Sequence, residues 1–436
     1  MGRGPLYRAH SLIGTQIGMK VDNMQTFGKT LCNSLPALGL GLLGALGAAS
    51  VAMAPAAYAQ KVTAKKEFVE NIQAAQAAMN SRNWSQALAK ADAAAPHASG
   101  AQQRGAVEQI RVAASCDGSI KNHQGCISAI EKAKAAGGLP GSLTKNYDQM
   151  LAGRYSDAGN AAKALQQTKA NIAAYGGTST EHAFVAKKEL EAKNFAGAQS
   201  AINKAIANGK PTATHYNILL NALAGQNKMD EYYKTLERIA PSMGNDTYWR
   251  MLIERTKKEP NYRSNDASLD VFRAMEAAKV KLKPDEQFAM AEAARNRGIA
   301  VEAANAWAVL VKAGDANVAK HKAIVDSMTK KAAADKATEL AKSEATAATR
   351  VGGEPYANVA EGYLAAGNAT KAIELFNKAL VKGEMPVGTV DLVKLRLGVA
   401  QFKGGKKADA VKTWQSIKAD NGAAWLAKTW IAISKS

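Results

Sequence analysis

Aromatic side chains are few: 8 Phe, 12 Tyr and 6 Trp in 436 residues. The chain is nevertheless 47% hydrophobic, so its core has to be built from Ala and Leu more than from rings. Proline is scarce and β-branched runs are short, which leaves a mostly helical chain. There are 3 cysteines. That number excludes a disulfide-dense scaffold and a four-cysteine zinc site, and no C-x-x-C occurs. Five histidines lie beyond residue 60: His97, His123, His182, His215 and His321. None is spaced with a carboxylate or a second histidine as a metal site requires, so there is no H-E-x-x-H. No G-x-S-x-G nucleophile turn is present. "GGLPGSLTK", Gly137 to Lys145, lacks the Gly-Lys-Ser/Thr ending of a phosphate loop and reads as a turn. These absences point to a protein that is not an enzyme and carries no cofactor or metal.

Beyond the first sixty residues, long apolar runs are also missing, so no membrane span is expected there. The leader differs. Arg3, Arg8, Lys20 and Lys29 precede an uncharged stretch from Leu35 to Ala59, which ends Ala57-Tyr58-Ala59 before Gln60. Small residues at the first and third positions before a cut, after an apolar stretch, are what a signal peptidase reads. The expectation is cleavage between Ala59 and Gln60; an uncleaved anchor is the alternative. Translation starts at Met1, Met19 or Met24. The mature chain is then periplasmic or secreted.

Removing residues 1–59 takes four basic residues and one acidic residue (Asp22) from a net charge of +20, leaving about +17. Two cysteines remain, Cys116 and Cys126. An oxidising compartment permits one structural disulfide between them; two buried thiols are the other reading. Lys320–Lys331 and Lys403–Lys412 are the densest basic stretches. They suit either an anionic envelope polymer or plain solvated helix faces. Nucleic acid is not expected, because no aromatics are interleaved to stack bases.

What the chain has is a repeat. Leu151 and Ala152, then Val185 and Ala186, then Leu219 and Leu220 recur thirty-four residues apart, followed by Tyr155, Leu190 and Leu223 respectively. Ala164, Ala198 and Tyr232 keep the same interval. In and just before "GYLAAGNATKAIELFNKAL", Gly362 to Leu380, Tyr356, Val359, Ala360 and Tyr363 precede Gly367, Ala372, Phe376 and Ala379. This order and spacing resembles the tetratricopeptide repeat (TPR). Leu397, Gly398, Gly405, Ala410 and Trp414 resemble the next copy, and Met290, Ala291, Gly298, Ala303, Trp307 and Leu310 another. Ala75, Ala87, Ala91 and Ala94, and the segment with Ala129 and Ala133, resemble degenerate copies. Residues 322–348 read as a further Lys/Ala-rich helical pair. The resemblance implies an all-α, right-handed solenoid of antiparallel helix pairs, a TPR-like superhelix.

Small residues at Ala360 and Ala372 let paired helices cross closely, and rings at Tyr363 and Phe376 fill the space beside them. The code specifies a scaffold, not chemistry. Its expected organisation is a signal peptide (1–59), an N-terminal subarray (60–256), a polar linker (257–270) and a C-terminal subarray (271–436). A capping helix places Trp425, Leu426, Trp430 and Ile433 against the last pair. Val351–Pro355 is a second expected hinge. In TPR proteins the first helix of each pair lines a groove. That register puts Lys187, Asn217 and Asn221 on the inner face, with Glu292, Arg295, Glu354 and Glu361 there in later copies. The expected function is a non-enzymatic periplasmic scaffold or adaptor holding a protein or peptide. The alternatives are a component of envelope polysaccharide assembly, export or cell-wall binding that uses the basic surface, and an enzyme without a recognisable motif.

Overall fold

The computed structural model describes residues 65–117, 122–259, 264–386, 388–418 and 421–436. The expected leader and its Ala59–Gln60 cleavage site lie outside them, as do residues 260–263 of the expected linker. Among the described residues every regular element is helical. The chain divides into two compact units, Met1–Ala222 and Leu223–Ser436.

The first unit stacks antiparallel pairs: α1 (Lys66–Asn80) with α2 (Trp84–Ala94), α3 (Ala101–Cys116) with α4 (His123–Ala136), α5 (Gly141–Asp157) with α6 (Ala161–Tyr175), and α7 (Ser179–Glu191) with α8 (Phe195–Ala207). The helix α9 (Ala213–Gly225) follows, and the boundary falls within it. Ala164, Ala186 and Ala198 are fully buried, where the thirty-four-residue code places its close crossings. Cys116 and Cys126 are bonded, with Cα atoms 4.7 Å apart, joining the end of α3 to the first turn of α4. Closing so short a loop stabilises the unit by about 3 kcal/mol in the chain-entropy account.

Several turns inside the pairs share one geometry. Gly159, Lys193 and Asn227 stand thirty-four residues apart and all have positive φ, 76°, 60° and 58°. After each of the first two comes an asparagine. Asn160 donates its backbone N–H to Tyr155 O, and Asn194 to Glu189 O, both at 2.8 Å. The same two side chains accept the N–H of Lys163 and of Gly197. One residue thus closes the first helix in a left-handed Schellman turn, and the next caps the second helix. Gly367-Asn368 and Arg82-Asn83 repeat the device.

In the second unit α10 (Met229–Met243) and α11 (Asp246–Glu254) lead through a 3₁₀ turn (Arg255–Lys258) towards α12 (Ser264–Ala277). Then come α13 (Pro284–Asn296) with α14 (Ala300–Ala313), the short α15 (Ala316–Lys320), α16 (Lys322–Ala334), α17 (Leu340–Thr349), α18 (Glu354–Ala365) with α19 (Ala369–Lys382), α20 (Thr389–Lys403) with α21 (Lys407–Gln415), and α22 (Gly422–Ile433). Three expectations change here. The unit boundary lies at residues 222/223, and the expected linker 257–270 runs into α12. Its Leu269 and Asp270 are buried, because α12 carries apolar residues on all sides and belongs to the core. Residues 322–349 are not a pair: α16 and α17 are joined without reversal by one π turn, Asp335–Glu339. Val351–Pro355 is not a hinge. Gly353 donates to Gly383 O at 2.7 Å, and a Cβ there would stand 2.0 Å from Ala379 O.

The last helix closes this unit on its own beginning. Leu426, Trp430 and Ile433 are buried, and α22 packs on α20 and α21 and also on α10, α11 and α12. Trp425 donates its indole N–H to Leu252 O at 3.0 Å. Arg255 lies over the Tyr233 and Trp425 rings, 5.1 Å from each centroid. Tyr232, at an Ala position of the repeat, is only half-buried, and its neighbour Tyr233 takes the inward place.

Two substitutions test these contacts. A Cβ at Gly398 would lie 2.2 Å from Trp414 Nε1, and that ring is held by its bond to Leu395 O at 3.1 Å. Gly398→Ala is expected to cost the second unit about 1–3 kcal/mol in guanidinium unfolding. Lys193→Gly relieves a left-handed residue and is expected to stabilise the first unit by about 1 kcal/mol. Calorimetry that finds the two changes equal would refute this account of the turns and crossings.

Candidate functional site

The first helices of successive pairs carry the expected groove residues. Lys187 is the ninth residue of α7 and Asn221 the ninth of α9, thirty-four positions later. Asn217 stands one turn before Asn221 on the same face of α9. Lys187 is half-buried, its Nζ 4.0 Å from Glu191, an i,i+4 pair. Asn217 is half-buried and Asn221 exposed. The repeat therefore brings a cation and an amide to equivalent places on successive first helices, with a second amide one turn before. These groups can grip a peptide backbone or a carboxylate, and they hold no acid–base chemistry.

Nearby polar groups are occupied with packing. Asp148 of α5 accepts from Tyr175 Oη at 2.7 Å and from Lys134, and Asn171 donates to Asp148 O at 2.9 Å. Glu189 is buried, bonded by Lys169 at 2.5 Å and Asn194 at 2.7 Å. The hydrogen bond from Lys169 holds its carboxyl below the usual range, against the effect of burial. Glu191 beside it is exposed.

The corresponding face of the second unit is taken. Glu361 of α18, read from sequence as a groove residue, is 1% exposed and meets three arginines. Arg273 of α12 donates to it at 2.9 Å, Arg396 of α20 approaches at 3.3 Å, and Arg297, just past α13, also binds it. Arg273 forks onto Glu302 of α14 at 2.8 and 2.5 Å and reaches Asp270 at 3.0 Å. Arg396 holds Asp270 at 2.8 and 3.0 Å. Three carboxylates thus face three guanidinium groups, and α12 lies among α13, α14, α18 and α20. Glu292 and Arg295 form their own pair on α13 at 2.7 Å.

The ionisation of the cluster follows from its charges. Burial raises the Asp270 carboxyl, but Arg396, Arg273 and Arg297 outweigh it and hold the group at about 2. Glu361 is likewise lowered against burial by Arg396, Arg297 and Arg273. Burial depresses Arg297. The repeat register did not find Asp270, Arg273, Arg297, Glu302 or Arg396. The signal available was charge inside apolar runs: "LDVFRAM" at 269–275 and "KLRLGVA" at 394–400.

Comparison with protein-family models returns no match, and comparison with curated proteins returns none either. Solved structures do contain similar chains, one of them in "Structure of Naa15/Naa10 bound to HypK-THB". The likeness has a TM-score of 0.35 and 13% identity, covering 82% of this chain and 60% of that one. This chain thus spans about 60% of the length of that one. The fold stated here, an all-α TPR-like array of helix pairs, rests on the helix pairing and the buried repeat positions described above.

Removing one member of the cluster leaves buried charge without a partner. Arg396→Met is expected to destabilise the second unit by about 3–5 kcal/mol. Tryptophan fluorescence can follow it, because five of the six tryptophans lie in that unit. Asp270 and Glu361 titrate below their unfolded values, so their stabilisation is complete above about pH 4–5 and is lost as the pH falls towards 2. Guanidinium midpoints measured from pH 6 to pH 2 are expected to fall over that window. Asp270→Asn with Glu361→Gln should flatten the fall, and an unchanged slope would contradict the assignment.

Proposed function

We propose that the chain is a non-enzymatic scaffold of an extracytoplasmic compartment, holding a protein or peptide partner on the first-helix face of its first unit. One observation carries the reading. Lys187 and Asn221 occupy equivalent positions on that face, with Asn217 one turn away, whereas the equivalent face of the second unit is filled by α12. A preformed helical face binds an extended segment with little ordering of its own. The Cys116–Cys126 bond and the charge pattern of the leader support a periplasmic or secreted location.

The test is a crosslinking pull-down of Gln60–Ser436 from envelope extract at low and moderate salt. The expected outcome is a discrete protein retained at moderate salt, with capture reduced about tenfold in a Lys187→Glu, Asn217→Ala, Asn221→Ala variant. Capture of acidic glycan alone, lost as salt rises, would replace this reading with polymer binding through the lysine-rich stretches.

A further inference from the structure

Helices α14 and α16 meet closely at one end only. Ala300, Val301 and Ala332 form a small core there, with Ala304 and Met328 against it. At the other end α15 lies beside them, and the three helices border an open cleft of about 500 Å³. Its walls are Ala304, Ala308 and Val311 at i, i+4 and i+7 of α14, Val318 of α15, and Val325 and Thr329 of α16. The Thr329 hydroxyl donates to Val325 O at 2.9 Å, so its polar atom is already engaged by its own helix. Methyl groups therefore dominate the lining. Val311 is 50% exposed, one of the barest large apolar residues among those described.

The charges at the rim are Lys312, Lys322 and Asp326. Lys322 and Asp326 satisfy each other at 2.9 Å. Lys312, in the last turn of α14, has no ion-pair partner among the described residues. A methyl-lined cleft with one uncompensated cation at its edge specifies its ligand. The volume falls in the range of small-molecule sites, roughly 300–1,000 Å³, which are mostly apolar with a few placed polar groups. Between the rim charges the lining side chains are apolar apart from Thr329, whose hydroxyl is engaged, so they offer an extended peptide nothing to bond, whereas a hydrocarbon chain asks for nothing.

We infer that this cleft binds a single-chain amphiphile with one anionic head group. The alkyl chain lies along Ala304, Ala308 and Val325, and the head sits on Lys312. This site is separate from the proposed peptide face, and either stands if the other fails.

Calorimetric titration of Gln60–Ser436 with octanoate, decanoate and dodecanoate, below their micelle concentrations, tests it. One site per chain is expected, with affinity rising about threefold to fourfold per added methylene. Ala308→Trp, at an exposed position, should abolish binding by filling the cleft, with the helical circular dichroism unchanged. Lys312→Glu should weaken dodecanoate at least about tenfold and favour dodecyltrimethylammonium instead. Competition by lysophosphatidylglycerol would mark the ligand as a lipid-borne chain, and binding of dodecanoate alone would mark it as a free acid. The inference is overturned by any of four results: no saturable binding, binding untouched by Ala308→Trp, equal affinity of the unaltered chain for dodecyltrimethylammonium, or binding to phosphatidylglycerol vesicles without binding to dodecanoate.

Discussion

The buried cluster of Asp270, Arg273, Arg297, Glu302, Glu361 and Arg396 is the constraint on which the second unit depends. Its members come from helices as far apart in sequence as residues 270 and 396. Each carboxylate is held by at least one guanidinium and Glu361 by three, so the charges leave water only together. Such a cluster adds little stability over an apolar replacement of the same volume, since the desolvation of each ion offsets most of the attraction. It adds register. Asp270 and Arg273 are one turn apart on α12, and they meet Arg396, Glu302 and Glu361 only when α12 lies at one depth and one rotation. A slip of one turn would leave ions buried without partners.

The first unit is governed by more local rules. Its pairs cross on buried alanines, and three of its turns use one left-handed residue, Arg82, Gly159 or Lys193, followed by an asparagine cap. Its side-chain bonds reach to neighbouring helices, as from Arg154 to Cys116 O at 3.1 Å, and the Cys116–Cys126 bond spans ten residues. Pairs of this kind are stabilised chiefly by their neighbours.

This difference decides what was legible in the sequence. Ala152, Ala164, Ala186, Ala198, Ala360 and Ala372 announced the pairs, because close crossings tolerate only small side chains. Gly367 announced its turn for the reason that Lys193 and Asn227 hid theirs: the conformation is left-handed in all three, but only glycine advertises it. The long helix from Lys322 to Thr349 was misread as a pair because a Lys/Ala stretch has helical propensity throughout and no residue that marks a reversal. The position of α12 was invisible for another reason. Its polar flank, "RTKKEPNYRSND", looks like a linker, and the partners of Asp270 and Arg273 lie up to 126 residues away. Periodicity reports contacts within and between neighbouring repeats. It carries no record of a helix that fills the face of its own array.

That filled face bears on where a partner can bind. To open the inner side of the second unit, a competitor would have to lift α12 and uncover Leu269, Val271, Phe272 and Met275, all buried. At roughly 1.5–3 kcal/mol for each side chain, this costs on the order of 6–12 kcal/mol before any charge is considered. The competitor would also have to supply two ions in place of Asp270 and Arg273, in the same geometry. A peptide with micromolar affinity has only about 8 kcal/mol in total. The helix α12 is thus part of the fold and not an exchangeable ligand. The inner side not barred by this cost is that of α7 and α9 in the first unit, where Lys187 and Asn221 repeat at the interval of the array.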